Sequence, residues 1–197
     1  MKTINKTILA IIGVALITGC SLESSPIDSL ALEFETIQTI NYQPSPLLIE
    51  EKQALDEMEE ATNEEKIFDI FLDWQYIKAT QELVDIERAT LQTNVAIMKE
   101  LMASFKESEL TLTLEEIAEL RSQRIQLKEY REVIKATIGK VYAPIKELEG
   151  MFTIENIDLI ATTFKQAADN MAIRLDTIIE VNAIISEVIN FLTIKVG

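Results

Sequence analysis

The chain has no histidine, one cysteine, five glycines and four prolines in 197 residues. Each shortage excludes something. Without His there is no imidazole base, no His-ligated metal and no His-based pH switch. A bundle-core di-iron site built on Glu-x-x-His pairs is closed for the same reason. A single Cys allows no intramolecular disulfide. Two of the glycines, Gly13 and Gly19, lie near the N terminus. The other three, Gly139, Gly150 and Gly197, are too scattered for a Gly-rich phosphate loop. Positive charge is also scarce, with 18 Lys and Arg against 33 Asp and Glu, a net charge of −15. Such a surface repels nucleic acid and anionic headgroups. No cofactor, metal site or catalytic constellation is expected, and fold stability must come from apolar packing.

What is present begins with a three-part N terminus. Lys2 and Lys6 form a positive segment, Ile8 to Ile17 an apolar one, and Thr18 and Gly19 are small. Ten helical residues reach about 15 Å, half of a ~30 Å hydrocarbon layer, so a permanent spanning helix is not expected. Ile17-Thr18-Gly19-Cys20 resembles the lipobox of bacterial lipoproteins: aliphatic, small or aliphatic, Gly/Ala/Ser, then Cys. The resemblance implies cleavage between Gly19 and Cys20 and a diacylglycerol on the Cys20 sulfur, which occupies the only thiol. Several acyl chains would make release from the membrane negligible, since each buried CH₂ contributes about 0.8 kcal/mol. It also implies a location in the cell envelope facing away from the cytoplasm. Ser21, not Asp, follows the cysteine, which by the family's sorting rule implies the outer membrane of a double-membraned cell, and otherwise the outer face of the plasma membrane.

The expected organisation is a signal peptide over 1–19, a flexible tether over 20–28 and a helical domain over 29–197. Removal of the signal takes Lys2 and Lys6 but no acid, leaving 16 basic and 33 acidic residues. Ser29 to Ile40 carries Leu30, Leu32, Phe34, Ile37 and Ile40, a fair helical fit. Asn41 to Pro46 holds two prolines and reads as a loop. Leu47 to Ala61 reads as a short helix with Leu48, Ala54, Leu55 and Met58 on one side. The acids from Glu50 to Glu65 lack the Asp/Asn/Gly loop of an EF-hand and read as a solvated face rather than a Ca²⁺ site.

Three long helical stretches follow. The first opens with a Thr62-Asn63-Glu64-Glu65 capping box. It then repeats apolar residues every three or four: Ile67, Ile70, Trp74, Ile77, Val84, Leu91, Val95, Met98, Met102, Phe105. Phe71, Leu83, Ile86, Ile97 and Leu101 form a second row that would widen this stripe, as a bundle needs. The second opens at Thr113-Leu114-Glu115-Glu116 and runs through Ile117, Leu120, Arg124, Leu127, Arg131, Ile134, Ile138, Val141, Ile145 and Leu148 to Gly150. Pro144 is expected to kink it. The third opens at Thr153-Ile154-Glu155-Asn156 and runs to Val196. Short connections make neighbouring helices antiparallel. The predicted fold is all-α: an elongated antiparallel three-helix bundle, about 50 to 65 Å long, with one or two short N-terminal helices.

Arg88, Arg124 and Arg131 fall on apolar series. Pointing inward, each needs a carboxylate or carbonyl. They then form either a polar layer that fixes register or a slot for an anionic ligand. The alternative is boundary arginines with their heads in water. The very apolar segment 178–196 is either the most buried helix or a self-association surface. In outline the chain is similar to cell-wall-binding lipoproteins of low-GC Gram-positive bacteria. The expected function is a non-enzymatic, membrane-anchored bundle that binds an envelope protein or peptidoglycan. The alternatives are a carrier or chaperone using an apolar inter-helix groove, and a hydrolase using paired carboxylates.

Overall fold

The computed structural model describes residues 25–40 and 64–197, and every regular element among them is a helix, so the chain is all-α. The lipobox with Cys20, the Leu47–Ala61 segment and the Thr62 end of the first capping box lie outside the described residues.

Helix α1 spans Pro26–Thr39 and starts inside the stretch assigned to the tether. The reason is local. Ser25 Oγ accepts the Asp28 N–H at 3.2 Å, and Pro26 occupies the first helical position, where its missing N–H costs nothing. Ile27, Leu30, Phe34 and Ile37 turn into the core, while Leu32 of the expected series faces outward.

Helix α2, Glu64–Glu107, and the last helix, Ile157–Val196, are the two long elements. They pack along one another more extensively than any other pair. The Lys66–Asp158 ion pair, the Trp74–Phe164 edge contact and the Asn182–Glu87 hydrogen bond make them parallel. All ten apolar residues of the first predicted series in α2 are buried. The second row is not: Phe71, Leu83, Ile86 and Ile97 are exposed, and Leu101 is half-buried. Its neighbours cover only one sector of α2, and that sector excludes most of this row.

The stretch expected as one helix from Thr113 to Gly150 is two. Helix α3 spans Leu114–Ala136 and α4 spans Tyr142–Glu147. The predicted capping box is formed, with Glu116 N–H on Thr113 Oγ1 at 3.2 Å and Thr113 N–H on Glu116 Oε2 at 2.8 Å. The chain leaves the helix at Thr137 and turns through Gly139 at φ 73°. Restarting at Tyr142 puts Pro144 in a first turn, where no intrahelical N–H is needed. The proline therefore interrupts no helix, and the bend falls upstream of it. At Thr153 a short 3₁₀ turn, Ile154–Asn156, precedes the long helix, hereafter α5.

Lys195–Glu116 and Gln123–Glu187 make α3 antiparallel to α5. Lys106–Asp28 and Lys99–Glu35 make α1 antiparallel to α2. Helix α1 touches both α2 and α3, so one half of the molecule is four helices around a core. In the other half α2 and α5 continue beside α4, with Ile145 and Leu148 buried and Phe152 edge-on to Phe164.

Candidate functional site

The three arginines singled out by periodicity meet different partners, and two of them meet the same one. Glu33 projects from α1 with its side chain 6% exposed. Arg131 Nη1 donates to Glu33 Oε2 at 2.7 Å, and Arg124 Nε lies 3.9 Å from Oε1. Arg124 and Arg131 are seven residues apart on α3 and so share a face. That spacing lets them bracket one carboxylate. Arg88 lies elsewhere, with Nη2 directed at the Ile40 carbonyl at 3.4 Å, where α1 ends. Arg131 also holds Glu132 at 3.1 Å. Arg131 is thus hydrogen-bonded to a carboxylate of the chain, whereas Arg124 stands at ion-pair distance from it with its Nε making no hydrogen bond.

Three further polar contacts lie wholly or partly inside. Arg174, 2% exposed, reaches from α5 into the end of α3. Its Nη2 donates to the Thr137 carbonyl at 2.8 Å and its Nε to Thr137 Oγ1 at 3.1 Å. A buried guanidinium thus serves a carbonyl freed where α3 stops. Asn182 Nδ2 donates to the Glu87 carboxylate at 2.6 Å and to the Glu87 carbonyl at 2.9 Å. Tyr142 OH meets Gln81 Oε1 at 3.4 Å, and burial pushes its phenol up to about 12.

Sequence reading missed Glu33 and Arg174. A signal for both was present. Glu33 shares the face of Leu30, Phe34 and Ile37, and Arg174 that of Met171 and Ile178. A charge at such a position is costly without a partner. Its presence announces a partner that the sequence does not locate.

Elsewhere an open groove of about 500 Å³ lies between α1 and α2. Ala31, Met102 and Ala103 contribute apolar surface to it. Lys106–Asp28 at 2.5 Å and Lys99–Glu35 at 2.9 Å bridge across it. Burial alone would raise Asp28, but hydrogen bonds from Lys106 and Ser25 and the Lys106 charge hold it below the usual carboxylate range. These bridges tie the two helices together.

Segment 178–196 turns Ile178, Val181, Ile184, Ile185, Val188 and Leu192 into the core and leaves Ile179 and Ile194 outward. Its hydropathy is high enough over Ile154–Val196 to suit a membrane span by length and composition. Here the apolar side packs on α2 and α3. No group of three or more His, Cys, Asp or Glu side chains able to hold a metal ion occurs among the described residues. No family model, curated protein or solved structure matches the chain.

Proposed function

We propose that this chain is a lipid-anchored cell-envelope protein that presents a helical bundle to a protein or cell-wall partner and catalyses no reaction. The observation that carries the reading is Ile17-Thr18-Gly19-Cys20, with the chain's only cysteine at the position that lipidation requires. In this reading Cys20 carries the acyl groups on the outer membrane, or on the outer face of the plasma membrane in a single-membraned cell. The domain beyond it is an elongated antiparallel three-helix bundle. Residues 64–107, 114–147 and 157–196 run up, down and up, and α1 lies along one half as a fourth helix.

The polar cluster around Glu33 supports this reading: the carboxylate is met by Arg131 and Arg124 of the same chain, as in a scaffold. The bundle's chemistry is then in its outer faces. The test is growth with labelled fatty acid followed by fractionation. The wild-type chain should carry label and stay with the membrane after a salt wash, and Cys20→Ala should do neither. Label in the alanine variant, or an unlabelled wild-type chain released by salt, refutes the anchor.

A further inference from the structure

The outward side of α2 is an apolar stripe opposite the core. Phe68, Leu72, Tyr76, Leu83, Ile86 and Ile97 are 41% to 60% exposed. At about 100° per residue these six fall within a sector roughly 80° wide, facing away from the buried series of Ile67 to Phe105. Gln75, Ala79, Thr90 and Thr93 fill the gaps between them and are uncharged and exposed. The positions 68, 72, 75, 79, 83, 86, 90, 93 and 97 repeat at steps of three and four, the seam spacing of a helix that receives another helix. From Phe68 to Ile97 the stripe is about 44 Å long. Single exposed apolar residues are ordinary, but an uncharged row of this length is not.

We propose that this face of α2 docks an amphipathic helix of another protein, whose apolar seam is flanked by Lys and Arg. Charge selects the occupant. Along the edges of the stripe stand Asp69 and Glu87 on one side and Glu82 and Glu100 on the other, with Glu65 at its N-terminal end, against one Lys78. A second copy of the chain would set acids on acids and bring together two bodies of −15 each. The 41–63 segment carries Glu50, Glu51, Asp56, Glu57, Glu59 and Glu60 and meets the same repulsion. An anionic lipid surface is repelled likewise. A basic-flanked helix is attracted at both edges while its seam covers the row, the arrangement by which helices lie in apolar grooves and e/g charges select coiled-coil partners.

The proposal rests on the chain being a binding protein and is independent of the lipid, so loss of fatty-acid label and loss of docking are separate failures. The test uses the full chain and two synthetic helical peptides with the same Leu/Ile seam, one with Lys/Arg flanks and one with Glu flanks. Fluorescence anisotropy should show the basic peptide binding at least tenfold more tightly, with affinity falling as salt rises. Leu83→Glu with Ile86→Glu should abolish binding while circular dichroism stays helical, and Leu159→Glu, at an exposed site on α5, should leave it intact. Equal binding of both peptides, or unchanged binding by the double variant, overturns the proposal. A wild-type dimer in sedimentation that the double variant dissolves overturns it in favour of a second copy.

Discussion

Glu33 is the residue on which the four-helix half turns. It is nearly buried, it belongs to α1, and it meets two arginines of α3. Removing one partner of a buried pair costs more than the pair contributes, because a charge remains without compensation. Arg131 and Arg124 keep 23% and 37% of their side chains exposed, so water relieves part of that cost. Glu33→Gln is expected to lower unfolding free energy by about 2 kcal/mol, read as a lower urea midpoint at unchanged slope. Combining Glu33→Leu with Arg131→Met and Arg124→Met should recover most of the loss, since apolar residues of similar volume replace buried ion pairs and triads well. An unchanged midpoint in Glu33→Gln would show that the bracket contributes nothing. The sequence revealed the arginines through periodicity. It could not reveal which helix brings the carboxylate, because that depends on α1 lying against α3, a contact 98 residues apart along the chain.

Among the elements, the two helix ends around α3 are instructive because they solve one steric problem in opposite ways. Gly139 turns the chain at φ 73°, and a Cβ built there meets nothing within 4 Å. Gly139→Ala therefore tests backbone strain alone and is expected to cost about 1 kcal/mol. At the end of α2, Glu109 stands at φ 51°, where a glycine is usual. Glu109→Gly should raise the thermal midpoint while Gly139→Ala lowers it. Shifts of the same sign in calorimetry would show that these turns are not what limits the helices. Element boundaries were legible where the signal is local: the Thr113 box and the buried series of α2 both follow from spacing. The break at 137–141 was not, since the side chain that stabilises it, Arg174, belongs to a different helix. The second apolar row of α2 was misread for a related reason. Periodicity shows that a row is apolar and says nothing of whether a neighbour covers it.

At the scale of the whole molecule, charge imbalance outweighs individual pairs. Lys66–Asp158, Lys99–Glu35 and Lys106–Asp28 all join side chains that are at least 36% exposed. Pairs of that kind contribute about 0 to 1 kcal/mol each. Against them stand 33 acids and 18 bases on one chain, so even with every base paired an excess of 15 acids remains, and these repel one another in the compact state. Added salt screens both effects, with a Debye length of about 30 Å at 0.01 M and about 10 Å at 0.1 M. The repulsion acts over tens of ångströms and is lost first, while ion pairs at contact distance are screened less. Raising NaCl from about 0.01 M to about 0.1 M should therefore raise the urea midpoint at pH 7. The buried contacts of Arg131 and Arg174 should be little affected, so Glu33→Gln should keep its deficit at both salt concentrations. A midpoint that falls with salt would mean that surface pairs, rather than net repulsion, dominate the electrostatics of the fold. It would also weaken the case that the uncovered face of α2 selects its partner by charge, since the acids at its edges would then already be balanced within the chain.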